Sequence, residues 1–284
     1  MDNLGSNHNA DNGINLIPIP MSEAPEKWLR KQYLPHIWCP GCGIGTILRQ
    51  VIEQFTKLGW RNDEVVFVTG IGCTGRASGY VNAQTLHTIH GRALPTATGI
   101  KMARPDMHVV AMLGDGDGVG IGGNHFIHAA KRNIGITAIV VNNRIYGMTG
   151  GQVSPTTPSG AKSSTTPYGN VEPAMDVSKL ALGAGATFVA RAHTANPVYL
   201  GQLIRRALEH DGFSVLEVLS QCPTYFGRFN GMPDAVQMLE WFKSNTFMAK
   251  SPYEEKEGKI PVGVFRDDKE TPELSKSYRQ LWEE

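Results

Sequence analysis

The sequence is short of several features that would assign it to a broad class of protein. Its formal net charge is only +1, so no electrostatic argument supports binding to nucleic acid or to a membrane surface. No apolar run reaches the roughly 18–20 residues that a helix needs to span a bilayer. The polar start, Met1 to Gly13, lacks the basic and apolar pattern of a signal peptide. These absences favour a cytoplasmic protein with no nucleic-acid or membrane partner.

Cysteine is also scarce, with only Cys39, Cys42, Cys73 and Cys222 in the chain. Disulfides are rare in the cytoplasm, so these residues are expected to be ligands, redox groups or buried apolar side chains. Cys39 and Cys42 form a C-x-x-C turn, which places two thiolates on one metal centre. Four cysteines suit a 4Fe–4S cluster or a structural zinc site. The pattern alone also allows one redox or zinc C-x-x-C with two buried core cysteines.

The chain is long enough for one large α/β domain, with 284 residues of which 41% are hydrophobic and 19% charged. Apolar residues recur with helical spacing over residues 43–59, and residues 233–247 are also predicted to be helical. Short apolar runs rich in β-branched residues predict strands at 64–69, 108–113, 137–141, 187–192 and 214–219. Such strands alternate with helices in parallel sheets that are covered on both faces, and ligands bind beyond the carboxyl ends of these strands.

Glycines and polar residues stand where the predicted strands end. Gly114-Asp115-Gly116 closes one strand and Asn142-Asn143 closes the next, with 25 residues between Gly116 and Asn142. A diphosphate needs backbone N–H groups and a divalent cation. Asp115 offers Mg²⁺ a carboxylate, Asn143 an amide oxygen, and the backbone near Ile145 a carbonyl. A lone Gly-Asp-Gly is usually only a turn, but this pairing with Asn-Asn resembles the signature of thiamine-diphosphate enzymes.

The chain resembles the β subunits of 2-oxoacid:ferredoxin oxidoreductases over roughly two-thirds of its length, from residue 38 to Cys222. The matching segments are W-C-P-G-C-G (38–43), G-I-G-C-T-G (70–75), H-G-R-A-L-P-T-A-T-G (90–99), G-D-G-D (114–117), N-N-R-I-Y-G-M-T-G-G-Q (142–152) and S-P-T-T-P (154–158). The resemblance implies a thiamine-diphosphate-binding α/β fold, with a mostly parallel sheet and helices on both faces.

The resemblance also implies the site residues. One 4Fe–4S cluster is expected on Cys39, Cys42, Cys73 and Cys222, and Mg²⁺ on Asp115, Asn143 and the Ile145 carbonyl. Contacts to thiamine diphosphate are expected from Gly72, Cys73, Thr74, His90, Gly114, Gly116, Asp117, Asn143, Tyr146 and Thr149. His90 is further expected to be catalytic, by hydrogen-bonding substrate or exchanging protons. Its alternative role is that of a buried histidine satisfied by the backbone, and Tyr146 and Thr149 could simply pack or cap.

The loop that follows the asparagine pair bears on the substrate. Pyruvate-type relatives carry an asparagine over the thiazolium ring, where this chain has Met148, and the eight-cysteine insert of the single-chain pyruvate enzymes is missing. The loop resembles the 2-oxoglutarate type instead. The expected reaction is the coenzyme-A-dependent oxidation of 2-oxoglutarate to succinyl-CoA, or its reverse, with electrons passing through the cluster to ferredoxin.

Three alternatives remain open at this point. The enzyme could accept pyruvate or many 2-oxoacids, with Met148 merely packing. It could be a non-redox thiamine-dependent decarboxylase or lyase with a zinc site, or a non-catalytic zinc-stabilised binding domain. Thiamine chemistry beside the cysteines favours the cluster, because oxidising the 2-oxoacid adduct requires a nearby one-electron acceptor and zinc has no redox chemistry.

Partners and boundaries complete the expectations. The sequence shows no obvious glutamate for N1′ of the aminopyrimidine, which in this family comes from the α subunit. The chain is therefore expected to act only in a complex, as a dimer of αβ pairs. We expect a flexible N-terminus at 1–20, a thiamine-diphosphate and iron–sulfur domain at 21–232, and a C-terminal helix and wrapping tail at 233–284. Residues 150–176 lack periodicity and are expected to form a functional loop.

Overall fold

The computed structural model describes residues 23–283 of the chain. The expected flexible N-terminus at 1–20 lies outside these residues. Within residues 23–283, no helix combines the length and apolar character required to cross a membrane.

An eight-stranded sheet forms the centre of the protein, in the order β2-β1-β3-β4-β8-β7-β10-β9. Its strands are β1 (Val65–Thr69), β2 (Gln84–His87), β3 (His108–Gly114), β4 (Ile136–Asn142), β7 (Phe188–His193), β8 (Ser214–Leu219), β9 (Thr246–Met248) and β10 (Ile260–Asp267). A separate hairpin pairs β5 (Ile145–Tyr146) with β6 (Gln152–Val153). All neighbouring strands of the large sheet are parallel except β7 and β10. The predicted mostly parallel α/β sheet is therefore confirmed.

Helices cover both faces of this sheet. They are α1 (Ala24–Trp28), α2 (Ile44–Lys57), α3 (Ala77–Tyr80), α4 (Ala93–Ala103), α5 (Gly123–Arg132), α6 (Val177–Gly183), α7 (Pro197–Glu209), α8 (Ala235–Asn245) and α9 (Leu274–Glu283). Side chains of a strand alternate between its faces, so Phe67 packs with α2 and α7 in one core cluster. Val66 and Val68 pack with α4 and α5 in another. Burial on both faces explains why these strands are apolar throughout.

The parallel register brings the ends of the central strands together. Gly114 at the end of β3 pairs with Val141 of β4, so Asp115 and the asparagine pair emerge side by side. On the other side of β4, Asn142 pairs with Leu219 at the end of β8, three residues before Cys222. Thr69 ends β1 beside Met112 of β3, which brings the loop containing Cys73 to the same edge. This edge of the sheet therefore collects the residues that the sequence singled out.

The C-terminal segment was only partly foreseen. Its helix lies at Ala235–Asn245 and begins where the Asp234 carboxylate accepts the backbone N–H groups of Val236 and Gln237. The expected tail, however, contributes β10, which pairs antiparallel with β7 in the main sheet. Pro261 and Gly263 interrupt the β-branched pattern of this strand and charges flank it, which hid it in the sequence. The domain boundaries proposed from sequence stay predictions.

Candidate cofactor and cluster site

A cleft opens at the carboxyl ends of β1, β3 and β4. Its walls comprise Ile71, Gly72, Cys73, Thr74, His90, Gly114, Asp115, Gly116, Asp117, Asn143, Ile145, Tyr146, Gly147, Met148 and Thr149. Every residue expected to contact thiamine diphosphate lines this cleft, as do all three expected Mg²⁺ ligands. The structure thus gathers into one cavity residues that span nearly 80 positions of the chain, from Gly72 to Thr149.

Asp115 is a buried carboxylate at the end of β3, with 3% of its surface exposed. Its Oδ2 accepts hydrogen bonds from Ser154 Oγ at 2.6 Å and from Thr156 Oγ1 at 2.5 Å. Burial raises the pKa of Asp115, and the two hydroxyl donors only partly offset this effect. A buried carboxylate without a cation is unfavourable, so a divalent cation beside Asp115 fits the chemistry of this position.

Ser154 and Thr156 were missed as site residues when only the sequence was considered. They belong to S-P-T-T-P, which carried part of the family resemblance but no assigned role. The loop 150–176 returns across the end of the sheet, and places the two hydroxyls on a carboxylate 39 and 41 residues earlier in the chain. A local pattern in the sequence cannot predict contacts between residues that lie so far apart in the chain.

The two asparagines at the end of β4 have different surroundings. Asn142 is buried, donates from Nδ2 to Glu217 Oε1 at 2.8 Å, and has its Oδ1 2.9 Å from Thr156 Oγ1. Asn143 lines the cleft instead, and its Oδ1 accepts the backbone N–H of Ile145 at 3.2 Å. Only the second asparagine is therefore placed to offer oxygen to an ion in the cleft.

Aromatic and glycine residues shape the floor of the cleft. The Tyr146 hydroxyl donates to the Gly116 carbonyl at 3.3 Å, and its ring fills the space beside Gly116. A Cβ atom at position 116 would lie 2.0 Å from the Tyr146 ring, so only glycine fits there. Thr149 is exposed, and its hydroxyl donates to Gln152 Oε1 at 2.5 Å.

Positive charge is missing from the cleft in the described part of the chain, whose lining includes no lysine or arginine. The nearest arginine in sequence, Arg144, has a positive φ of 63° and points elsewhere. Its guanidinium stacks over the rings of Trp241 at 5.0 Å and Phe226 at 5.8 Å, in a separate cavity that also contains Arg191 and Glu217. A distal carboxylate of a substrate in the cleft thus has no cationic partner among these lining residues.

His90 and Asp117 form a pair at the side of the cleft. His90 Nδ1 lies 2.7 Å from Asp117 Oδ1, and the imidazole is one-third exposed. His87, by contrast, does not line the cleft, and its Nδ1 lies 3.0 Å from the Gly75 carbonyl. His87 therefore contacts Thr69, Ser78 and the Gly75 carbonyl rather than the contents of the cleft.

The four cysteines meet next to this cleft as free thiols. A Cβ atom at Gly147 would lie 3.7 Å from Cys73 Sγ and 3.8 Å from Cys222 Sγ, so both sulfurs flank that glycine. Burial raises the pKa of Cys42 to about 12, and the other three thiols add to the shift. Burial likewise raises the pKa of Cys73 to about 11, with contributions from Cys222 and Cys39. The other three thiols all act on Cys42, so the four cysteines lie near one another.

The cysteine group provides four thiols, the number of ligands that either a zinc ion or a 4Fe–4S cluster requires. Zinc requires its four ligands on one centre, whereas each cysteine of a 4Fe–4S cluster binds a different iron. Backbone N–H groups also point at the sulfurs, that of Ile44 at Cys42 and those of Tyr225 and Phe226 at Cys222. Such donors stabilise anionic sulfur and tune a cluster's potential.

Close backbone packing brings the C-x-x-C turn to Cys222. The Cys42 N–H donates to the Cys39 carbonyl at 3.0 Å, which closes the turn. The next N–H, that of Gly43, donates to the Gln221 carbonyl at 3.2 Å. A Cβ atom at Gly43 would lie 2.3 Å from Ser220 Oγ and 2.5 Å from Gln221 Oε1. Glycine at this position therefore permits the approach of the two segments.

Comparisons with known proteins bear on this site. The family model "Thiamine pyrophosphate enzyme, C-terminal TPP binding domain" matches residues 70–218, which include the whole cleft. The 2-oxoglutarate synthase subunit KorB of Methanocaldococcus jannaschii is 49% identical over 261 residues, covering 90% of this chain and 96% of the relative. The subunit of the same name from Archaeoglobus fulgidus is 54% identical over 198 residues, covering 70% and 74% respectively.

A solved structure is similar as well. The 2-oxoglutarate:ferredoxin oxidoreductase from Magnetococcus marinus, determined with 2-oxoglutarate, coenzyme A and succinyl-CoA bound, superposes with a TM-score of 0.81. The two chains are 33% identical, and the match covers 91% of this chain and 89% of the other.

Proposed function

This chain is a β subunit of the 2-oxoacid:ferredoxin oxidoreductase family, of the 2-oxoglutarate synthase type, and we propose that it binds thiamine diphosphate, Mg²⁺ and one 4Fe–4S cluster for the coenzyme-A-dependent oxidation of 2-oxoglutarate. The products are succinyl-CoA and CO₂, and the two electrons pass to ferredoxin. The same subunit would serve the reverse carboxylation. The observation that carries the proposal is the cleft whose wall at Cys73 and Gly147 is shared with the cysteine group.

The metal-binding residues are proposed from their surroundings. Asp115, Asn143 and the Ile145 carbonyl would hold Mg²⁺, with the Asp115 carboxylate already oriented by Ser154 and Thr156. Cys39, Cys42, Cys73 and Cys222 would hold the cluster. When bound, thiamine diphosphate supplies the carbon nucleophile for decarboxylation, and the cluster accepts the resulting electrons one at a time.

Side chains of this subunit then act on what the cleft contains. Backbone N–H groups at the start of Gly116–Ile121, a short π-helix that leads into α5, would meet the diphosphate, because anions bind where a helix begins. His90, one-third exposed at the wall, would exchange protons with the bound reactants. Met148 is 45% exposed and apolar, and beside Gly147 it leaves space for a substrate longer than pyruvate.

A partner subunit is required by what the cleft lacks. In the described residues its lining contains no glutamate for N1′ of the aminopyrimidine and no cation for the distal carboxylate of 2-oxoglutarate. We propose that an α subunit supplies the glutamate and that the αβ pairs dimerise. Four free thiols in the chain also suit the reducing cytoplasm.

An anaerobic reduction experiment tests the proposal. The purified αβ complex should show visible absorption that dithionite bleaches, and 2-oxoglutarate with coenzyme A should bleach it too. The isolated β chain should carry the cluster and respond to dithionite but not to substrate. Acid denaturation of the complex should release thiamine diphosphate. A colourless complex, or a coloured one that substrate leaves unchanged, would contradict the proposal.

A further inference from the structure

Asp117, the second aspartate of G-D-G-D, has different surroundings from Asp115, the first. Asp117 has only 2% of its side chain exposed, and its Oδ1 lies 2.7 Å from His90 Nδ1. The same oxygen accepts the backbone N–H of Gly91 at 2.8 Å and that of Ile71 at 3.2 Å. These donors come from two loops, one after β1 and one before α4. The carboxylate is therefore fixed in place independently of any bound group.

The backbone around Asp117 is built to admit this carboxylate. A Cβ atom at Gly70 would lie 2.1 Å from Asp117 Oδ2 and 2.2 Å from Oδ1, so the residue that follows β1 must be glycine. Gly91 has a φ of +72°, which directs its N–H to the same carboxylate and is unfavourable for other residues. Gly70 thus leaves space for the Asp117 carboxylate, and Gly91 donates a hydrogen bond to it. Among the described residues, His90 is the only side-chain partner of Asp117.

Asp115 and Asp117 are two residues apart, but in the described part of the chain their carboxylates share no hydrogen-bond partner. Asp115 is held by the hydroxyls of Ser154 and Thr156, on the side of the proposed Mg²⁺ site. Asp117 is held from the opposite side, by His90 and the loop N–H groups. The two carboxylates are therefore suited to separate tasks.

We infer that Asp117 is a positioning residue that orients His90 and fixes its tautomer, rather than a ligand for the cofactor or metal. This inference rests on the proposed function of the cleft. A neutral imidazole carries one N–H, and a carboxylate 2.7 Å from Nδ1 keeps the proton on that nitrogen. Nε2 then keeps its lone pair. His90 lines the cleft, with its ring edge-to-face to Tyr146 at 6.3 Å, so Nε2 is the atom left to meet the bound reactants.

A double-mutant cycle in the αβ complex tests this relationship. Asp117→Asn should lower kcat for 2-oxoglutarate by about 10- to 100-fold, the usual loss when the partner of a functional histidine is removed. The KM and the affinity for thiamine diphosphate should stay within about threefold. Because Asp117 acts through His90, the double variant should differ in kcat from His90→Ala alone by less than about twofold. If the two residues acted independently, the losses in kcat of the two single variants would multiply. Multiplied losses, or an unaffected kcat in either single variant, would overturn the inference.

A second measurement does not depend on turnover. Deuterium exchange at the imidazole C2 position, followed by mass spectrometry, reports on the protonation and surroundings of individual histidines. In the cofactor-free complex, Asp117→Asn should change the exchange rate at His90 and leave that at His87 unchanged. Asp106→Asn is the matched control. Asp106 is exposed and pairs with Arg104 just before β3 begins, whereas the cleft lies where β3 ends. An unchanged rate at His90 would overturn the inference, whatever substrate the complex proves to oxidise.

Discussion

Thr156 donates its hydroxyl to the Asp115 carboxylate, with 2.5 Å between Oγ1 and Oδ2. The same hydroxyl lies 2.9 Å from Asn142 Oδ1, so one threonine joins the ends of β3 and β4 to the long loop 150–176. Asn142 continues the chain of contacts to the buried Glu217. The carboxylate proposed to bind Mg²⁺ is therefore held by the loop as well as by the sheet.

Replacing Thr156 with valine keeps the shape of the side chain but removes this hydroxyl. We expect the Mg²⁺-dependent affinity for thiamine diphosphate to fall by about tenfold, since residues that orient a metal ligand usually contribute that much. Titration of the cofactor-free αβ complex measures the change. Ser159→Ala in the same loop is the control, because within residues 23–283 the Ser159 hydroxyl hydrogen-bonds to the Glu172 carbonyl alone. Equal affinities for the two variants would show that Thr156 does not orient Asp115.

Removal of the Asp115 carboxylate should have a larger effect. Asp115→Ala is expected to abolish Mg²⁺-dependent binding of thiamine diphosphate. Asp117, the only other carboxylate that the described residues contribute to the cleft lining, is engaged by His90. Iron and sulfide content should stay at the wild-type level, because the cysteines do not depend on Asp115. Retention of cofactor affinity, measured by the same titration, would show that the metal lies elsewhere.

The approach of the C-x-x-C turn to Cys222 can be tested at Gly43. A methyl group there would meet Ser220 Oγ and Gln221 Oε1 at less than van der Waals distance, so Gly43→Ala should separate the cysteines and lower the iron and sulfide content per chain. Gly99→Ala is the matched control, because a Cβ atom at that helical position meets nothing within 4 Å. Cys73→Ser and Cys222→Ser should lower the iron content further. Full cluster content in either serine variant would refute the ligand assignment.

The buried ion pair between Arg191 and Glu217 is expected to stabilise the fold. Arg191 Nε lies 2.7 Å from Glu217 Oε2, and both side chains are almost fully buried. Glu217→Gln leaves the buried guanidinium with Asp176 as its remaining carboxylate partner, which should destabilise the protein by up to about 3–5 kcal/mol. Glu209→Gln breaks an exposed pair with Arg205 and should cost at most about 1 kcal/mol. Thermal denaturation of the complex compares the two, and equal shifts would contradict the prediction.

The same pair gives the direction of a pH effect. Burial alone would raise the pKa of Glu217, but Arg191 and the hydrogen bonds from Asn142 and Ser178 hold that pKa below its ordinary value of 4.5. The stability that Glu217 contributes is therefore complete above pH 4.5 and is lost as the pH falls through the lower pKa of the folded state. Glu217→Gln should accordingly lose part of the acid sensitivity of the wild-type complex.

Local patterns in the sequence predicted much of this arrangement. The strand that ends at Gly114 and the helix after Cys42 are long, strongly patterned elements, and each is bounded by residues that stop it. Because parallel strands end at one edge of a sheet, the same patterns also placed Asp115, Asn143, Cys73 and Cys222 near one another, whereas only the family resemblance added Cys39 and Cys42 to this group.

Contacts between distant segments could not be predicted in this way. Asn142 and Asn143 look equivalent in sequence, yet only the register with β8 shows that Asn142 faces Glu217. Ser154 and Thr156 lie in an aperiodic loop whose path is set by packing, and Asp117 becomes distinct from Asp115 only when His90 is seen beside it. Strand β10 was missed because proline and glycine weaken its pattern, while pairing with β7 stabilises it.

The substrate preference of the αβ complex tests the central claim most directly. Steady-state rates of methyl viologen or ferredoxin reduction, measured in the presence of coenzyme A, give kcat/KM for 2-oxoglutarate and for pyruvate. Met148 is exposed in the cleft, where pyruvate-type relatives carry asparagine, and it leaves room for the longer substrate. The distal carboxylate of 2-oxoglutarate would pair with a cation of the partner subunit. Such a pair would stabilise the bound substrate by more than about 1.4 kcal/mol, which corresponds to a tenfold ratio. We therefore expect a kcat/KM for 2-oxoglutarate at least about tenfold above that for pyruvate. A kcat/KM for pyruvate equal to or above that for 2-oxoglutarate would contradict the account.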